Sequence, residues 1–176
     1  MLVEPAGPTF EQNCIEIKPT LPLAAAESPF SQKNTKIFMY DLDATIDNGA
    51  YPGVEAKRSN IGHRPIGIGV QGLADAFMML RAPFDSEAAA KLNRDIFETI
   101  YYGALEATID LARENGIKDI MCDARLGPHD SYEGSPASRG ILQPEMWGVQ
   151  TDDTMWDWTR LRADLKEHGC FIEIFR

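Results

Sequence analysis

The sequence predicts an α/β fold, layered or barrel, in preference to a helical bundle. Three observations carry this. Helical periodicity runs unbroken from Asp85 to Gly116 and again from Asp152 to Gly169. Two short runs, Cys14-Ile15-Glu16-Ile17 and Cys170-Phe171-Ile172-Glu173-Ile174-Phe175, have the alternating or β-branched apolar character of strands. The composition is globular: 44% of 176 residues are apolar and 25% charged. A chain of that size suits one domain burying roughly 70% of its unfolded surface. Long helices joining short strands bury both kinds of apolar face in layers.

The elements follow in order. Pro5, Pro8, Pro19, Pro22 and Pro29 disfavour a long helix across residues 1–36 and leave the strand at 14–17, where Cys14 and Glu16 fall on one face. Phe38, Leu42 and Ile46 recur every four residues and predict a helix over 36–47, closed by the turn signals Asn48-Gly49 and Pro52-Gly53. Residues 54–66 read as an exposed loop carrying Lys57, Arg58, His63 and Arg64. The spacing of Val70, Leu73, Phe77, Met78 and Leu80 predicts a helix over 70–80, ended by Pro83. The longest helix opens on Asp85-Ser86 as cap, with Glu87 in the first turn where the helix dipole favours it. Its stripe runs Leu92, Ile96, Phe97, Ile100, Tyr101, Ala104, Leu105, Thr108, Leu111 and Ala112, and it stops at Asn115-Gly116. About 30 residues rising ~1.5 Å each make roughly 45 Å of helix, enough to lie along something large. Residues 127–148 are rich in Gly and Pro and read as loop. The last helix is capped by Asp152 or Asp153, lines up Trp158, Leu161 and Leu165, and stops at Gly169 before a final buried strand at 170–175.

Charge and cysteine usage narrow the function. Seventeen Lys+Arg against twenty-seven Asp+Glu give a net charge of −10, and no basic stripe is present, so direct nucleic-acid binding is not expected. No run approaches the ~20 apolar residues of a membrane span, and no secretory leader is visible at the start, which points to a cytoplasmic protein. Cys14, Cys122 and Cys170 are widely spaced, without a CxxC, and His63, His129 and His168 are scattered; neither a disulfide framework nor a zinc site is expected.

Three groups of residues could carry chemistry. Gly67-Ile68-Gly69-Val70-Gln71-Gly72 satisfies G-x-G-x-x-G, whose glycines bring backbone N–H groups to a pyrophosphate when a strand precedes them. Only His63-Arg64-Pro65-Ile66 precedes them here, so close backbone packing competes with a dinucleotide-binding module through Gly67, Gly69 and Gly72. Cys14 beside Glu16 is a poor thiolate site, because a carboxylate raises a thiol pKa. The pair suits a neutral sulfur radical with a carboxylate base; a buried Cys next to a surface Glu is the competing reading. The pairs Tyr101-Tyr102 and Trp156/Trp158 read as packing, with Tyr101 on the apolar stripe.

Beyond these local patterns, residues 63–115, from HRPIGIGVQGLADAFMMLRAPFDS through NRDIFETIYYGALEA, resemble the large (α) subunit of class I ribonucleotide reductase. YEGSPASRGILQPEMW (132–147) and WDWTRLR (156–162) resemble the same family in the same order, and QNCIEIKPTLPL (12–23) is similar to its radical-cysteine segment. The resemblance spans residues 12–169, with an apparent insertion at 117–126 and a divergent end at 170–176. It implies that residues 1–176 form part of a ten-stranded α/β barrel with long crossover helices. Cys14 would be the thiyl that abstracts the ribose 3′-hydrogen, and Glu16 the base for the 3′-hydroxyl. The family's substrate-binding asparagine two residues before the cysteine falls on Gln12, unless a one-residue deletion brings Asn13 into that role.

The resemblance further implies a ribonucleoside diphosphate substrate and a radical-generating small subunit that holds the metal radical cofactor, with none bound by this chain. Homodimer partners or other large-subunit segments are possible assemblies. Counterparts of the family's redox cysteine pair, phosphate loop and tyrosine pair are not visible in the sequence, so turnover by this chain alone is not expected. A reductase segment completed by other chains and a non-catalytic remnant or interaction module both fit. An isolated chain of this kind is expected to be marginally stable, with uncovered strand edges and one bare apolar helix face.

Overall fold

The computed structural model describes residues 13–16, 29–115, 136–149 and 155–170. The order along these residues is β1 (Asn13–Glu16), α1 (Pro29–Asn48), α2 (Val54–His63), β2 (Ile68–Gln71), α3 (Leu73–Met79), α4 (Glu87–Asn115), a 3-10 turn (Ala137–Arg139), α5 (Gln143–Met146) and α6 (Trp158–His168). β1 and β2 pair in parallel. Parallel neighbours cannot be joined by a tight turn and need a crossover, which α1 and α2 supply.

Side-chain pairs fix the direction of the long helices. Gln32 donates to Glu106. Lys36 donates to Asp110 at 2.6 Å and Tyr40 to Glu114 at 3.1 Å. Each pair is 74 residues apart, and each rung climbs four residues on both helices, so α1 and α4 run parallel. Trp158 bonds Glu98, Arg160 faces Glu106 and Asp164 pairs with Arg113, an ascending series that makes α6 parallel to α4 as well. Parallel strands flanked by parallel helices are the signature of an α/β arrangement.

Helix α4 lies at the centre, and three apolar clusters surround it. Toward α1 the contact is made by Met39, Ala104, Ala107, Leu111 and Ala112, with Ile66 and Ile68 alongside. Small residues let the two backbones approach. A Cβ placed on Gly103 would sit 3.0 Å from the Gln32 carbonyl oxygen and 3.2 Å from the Thr35 Cβ. Toward α3 and β2, Phe77, Ala89, Leu92, Ile96 and Ile100 bury Val70 and Leu73. Toward α6, Tyr102, Leu105 and Ile109 pack on Leu142, Trp158, Leu161 and Leu165.

Several expectations change. α1 begins at Pro29 rather than near residue 36; proline is tolerated in a first turn, where its missing N–H has no intrahelical partner. Residues 54–63 form helix α2, not a loop. The helix expected over 70–80 starts only at Leu73, because Ile68–Gln71 is taken by strand β2. The region 127–148 includes, among its described residues, the 3-10 turn and the short α5. The cap of α6 is Asp157, whose carboxylate accepts from the Arg160 N–H at 2.9 Å, so that helix starts after Asp152 and Asp153. In α4, Phe97 is exposed while Tyr102 and Ile109 are buried. A helix covered on three sides buries more than one stripe. The strand at 14–17 appears as Asn13–Glu16, α4 keeps its expected limits, and Gly169 at φ 79 closes α6. The insertion 117–126 and residues 171–176 lie outside the described residues.

Candidate functional site

The β1–β2 ladder places the sequence-predicted radical cysteine against the glycine motif. Cys14 is opposite Gly69, with Asn13 opposite Ile68 and Glu16 opposite Gln71. Gln12 lies outside the described residues. A Cβ on Gly69 would meet no described atom within 4 Å. The position across the ladder from Cys14 therefore has no side chain, and no described atom crowds it. Ile68 holds β2 against two of the clusters around α4 and Val70 holds it against one, so the strand is anchored from its apolar positions.

This arrangement removes the dinucleotide reading. A phosphate cradle needs its glycines in a loop between strand and helix. Here Gly69 is inside β2, and Gly72 at φ 82 is the single left-handed hinge between β2 and the seven-residue α3. That hinge is where the backbone requires glycine.

The approach to β2 is fixed by an ion cluster around the buried Arg64, a residue that the sequence places on an exposed loop. Arg64 ends α2 in a left-handed conformation at φ 45 and is 4% exposed. Its Nε donates to Asp43 Oδ1 at 2.6 Å, its Nη1 to Asp47 Oδ1 at 2.9 Å and its Nη2 to the Asp43 carbonyl at 3.1 Å. Burial pushes the Asp43 carboxyl above its ordinary range, and Arg64 opposes that only in part. Burial alone would lower the guanidinium, but the hydrogen bonds to Asp47 and Asp43 outweigh it and leave it raised. The available signal was Asp43 and Asp47 four apart on one helix face, with an arginine just before Pro65.

A second cluster joins residues that had been read as two separate pairs. Tyr102 stacks on Trp156 at 4.8 Å between ring centroids and meets Trp158 edge-on at 5.1 Å. Trp158 lies 6.0 Å from Tyr101. The indole N–H of Trp158 donates to Glu98 at 3.1 Å, and that of Trp156 to the Thr99 hydroxyl at 3.3 Å. Burial raises both phenols above their ordinary pKa. The packing reading of Trp156 and Trp158 holds, but the fully buried tyrosine is Tyr102 rather than Tyr101. Among the described residues no group of His, Cys, Asp or Glu is arranged to hold a metal ion, and no helix is long and apolar enough to cross a membrane.

Comparison with known proteins decides the ancestry. The family model for the ribonucleotide reductase barrel domain matches residues 25–175. The chain belongs to that family. It is 52% identical over 135 residues to the ribonucleoside-diphosphate reductase large subunit of Plasmodium falciparum, covering 77% of this chain and 15% of that protein. It is 53% identical over 135 residues to the large chain of Neurospora crassa, covering 77% of this chain and 13% of that one. It is 54% identical over 129 residues to the large subunit of Arabidopsis thaliana, covering 73% and 14%. The chain thus corresponds to a segment of ribonucleotide reductase large subunits. The match takes in β2 and every described helix, whereas β1, with Cys14, lies before residue 25.

Proposed function

We propose that this chain is a segment of the catalytic barrel of a ribonucleoside-diphosphate reductase large subunit. In this reading residues 1–176 form one partial domain of a ten-stranded barrel, with 117–126 an insertion and 170–176 a divergent end. Its reaction is the reduction of ribonucleoside diphosphates to 2′-deoxyribonucleoside diphosphates. Cys14 is the thiyl that takes the 3′-hydrogen, Glu16 accepts the 3′-hydroxyl proton, and Gln12 or Asn13 hydrogen-bonds the substrate. The oxidising equivalent comes from the metal radical cofactor of a separate small subunit in the cytoplasm, and other large-subunit segments complete the barrel.

One observation supports this above the others: the parallel register that pairs Cys14 with Gly69 on the family-matched strand, with no described atom within 4 Å of a Cβ placed on that glycine. A hydrogen-abstracting sulfur needs a substrate within contact distance, and a neighbour lacking a Cβ leaves room for one. The test is deoxynucleotide formation from a ribonucleoside diphosphate, with dithiothreitol, a small subunit and the remaining barrel segments added. Product that falls to background with Cys14→Ser is the expected result. The alternative, a non-catalytic remnant or interaction module, draws on the position of Cys14 outside the family match; it predicts no product under any complementation.

A further inference from the structure

The end of α1 carries an asparagine–glycine step with an uncommitted backbone nitrogen. Asn48 is the last residue of the helix, and Gly49 follows it in irregular backbone. Helices α2, α3 and α6 each close with a backbone N–H bonded to the carbonyl four residues back, from Arg64 to Asn60, from Leu80 to Ala76 and from Gly169 to Leu165. Gly49 makes no such bond to Thr45, and its N–H has no other hydrogen bond among the described residues. Residues 47–50 are all exposed.

That nitrogen lies one residue after a side-chain amide, the spacing that closes a five-membered imide. Glycine leaves such a nitrogen least hindered, because it has no Cβ. Packing also favours glycine here. A Cβ at this position would lie 3.1 Å from the Thr45 carbonyl oxygen and 3.5 Å from the Tyr51 ring. Tyr51 is itself anchored, its hydroxyl donating to the Ile46 carbonyl. The Asn48 amide is restrained by one bond, from Nδ2 to the Ala44 carbonyl at 2.8 Å. A single exposed hydrogen bond of this kind slows a reaction that must break it by about two- to tenfold.

We propose that Asn48-Gly49 is a covalent modification site, at which spontaneous imide formation yields an isoaspartyl residue that is a substrate for a carboxyl methyltransferase using S-adenosylmethionine. The Gly49 nitrogen gives its proton to a base in solution and bonds to Asn48 Cγ. The Cγ–Nδ2 bond breaks, and ammonia leaves. Water then opens the imide at either carbonyl. Opening at the side-chain carbonyl gives aspartate; opening at the main-chain carbonyl gives isoaspartate, with the chain routed through the side chain and the former main-chain carboxylate free. That carboxylate takes the methyl group, and S-adenosylhomocysteine leaves. Either hydrolysis product adds a negative charge to the last turn of α1, which has no basic side chain of its own and whose Asp47 already holds Arg64. The site is independent of deoxynucleotide formation.

The test is ageing of the full chain in mildly alkaline buffer made with heavy-oxygen water. Tryptic mapping follows, with labelling by isoaspartyl methyltransferase and methyl-tritiated S-adenosylmethionine. The expected result is that the peptide from Ile37 to Lys57 loses ammonia, gains one heavy oxygen and takes up label. The other Asn-Gly step, Asn115-Gly116, falls in a separate peptide. Asn48→Gln, whose longer side chain closes a six-membered ring far more slowly, should cut label in the Ile37–Lys57 peptide at least tenfold. Folded chain and chain aged in urea should differ by no more than about tenfold, the effect of the Ala44 bond. Label in that peptide only after ageing in urea, or label undiminished in Asn48→Gln, would overturn the site.

Discussion

Replacement of Arg64 by methionine removes the positive member of a buried pair and leaves Asp43 with no cation among the described residues. Asp43 is itself buried, its side chain 11% exposed, whereas Asp47 at 54% is solvated and loses little. Stranding one member of a buried pair costs about 3–5 kcal/mol. Protonation sets a ceiling on that cost. An aspartate with a reference pKa near 3.9 can be held neutral at pH 7 for about 4 kcal/mol, and at pH 5 for about 1.5 kcal/mol. The folded-state pKa of Asp43 is already raised by burial, and loss of Arg64 raises it further. A raised carboxyl contributes stability that is complete below its unfolded pKa and is lost as pH rises through the folded value. Arg64→Met should therefore lose about 4 kcal/mol relative to the parent at pH 7 and about 1.5 kcal/mol at pH 5. Urea unfolding of both proteins at the two pH values measures this directly, read from midpoints at a common slope. An equal loss at both pH values would refute the argument, because the penalty would then not reside on a titrating carboxyl. Asp43→Leu with Arg64→Met should recover most of the loss, since no charge is left stranded.

Four further outcomes are expected. Gly69→Val keeps the strand backbone, meets no described atom at its Cβ and leaves the melting midpoint nearly unchanged, but puts a branched side chain opposite Cys14; deoxynucleotide formation in the complemented assay should fall at least tenfold. Gly103→Leu should cost about 1–3 kcal/mol in urea unfolding, because its side chain meets backbone of α1 where the helices are closest. Asp157→Ala removes the cap of α6 and should cost about 1 kcal/mol, seen as an early loss of helix by circular dichroism. The Tyr40 phenol, pushed up to about 12 by burial and by its bond to Glu114, should be absent from the ultraviolet titration of ordinary tyrosines near pH 10. Its contribution to stability is complete below pH ~10 and is lost as pH rises through 12, and Tyr40→Phe removes that late step.

The parts legible in the sequence are those written in one dominant period. Helix α4 carries caps, stripe and stop signal in agreement, so its limits and its role as the long central element could be read directly. Strand β1 was legible from a two-residue alternation, and Trp158, Leu161 and Leu165 from their spacing on α6. The failures have a common physical source. Helix α2 has no apolar face to betray it: half of its ten residues are exposed, and Arg64 at its end is tied to Asp43 of α1. Strand β2 is four residues with two branched positions between glycines, too short for a period, and adjoining apolar residues completed a false helical match. Of the candidate site, the residue types at 14 and 16 and the glycine motif could be singled out, but their pairing across the ladder depends on a contact some fifty-five residues distant. No local pattern encodes that.

The rungs between α1 and α4 share a single offset, and they behave as a vernier. Sliding one helix by a residue would unmake all three together, and the smallest slip that re-forms any of them is a whole turn, which sacrifices the end rung. Sequence drift in the intervening segments can lengthen or shorten the connection without moving the helices. A single insertion inside either helical stretch would spoil the alignment, and with it the seat on which β2 rests.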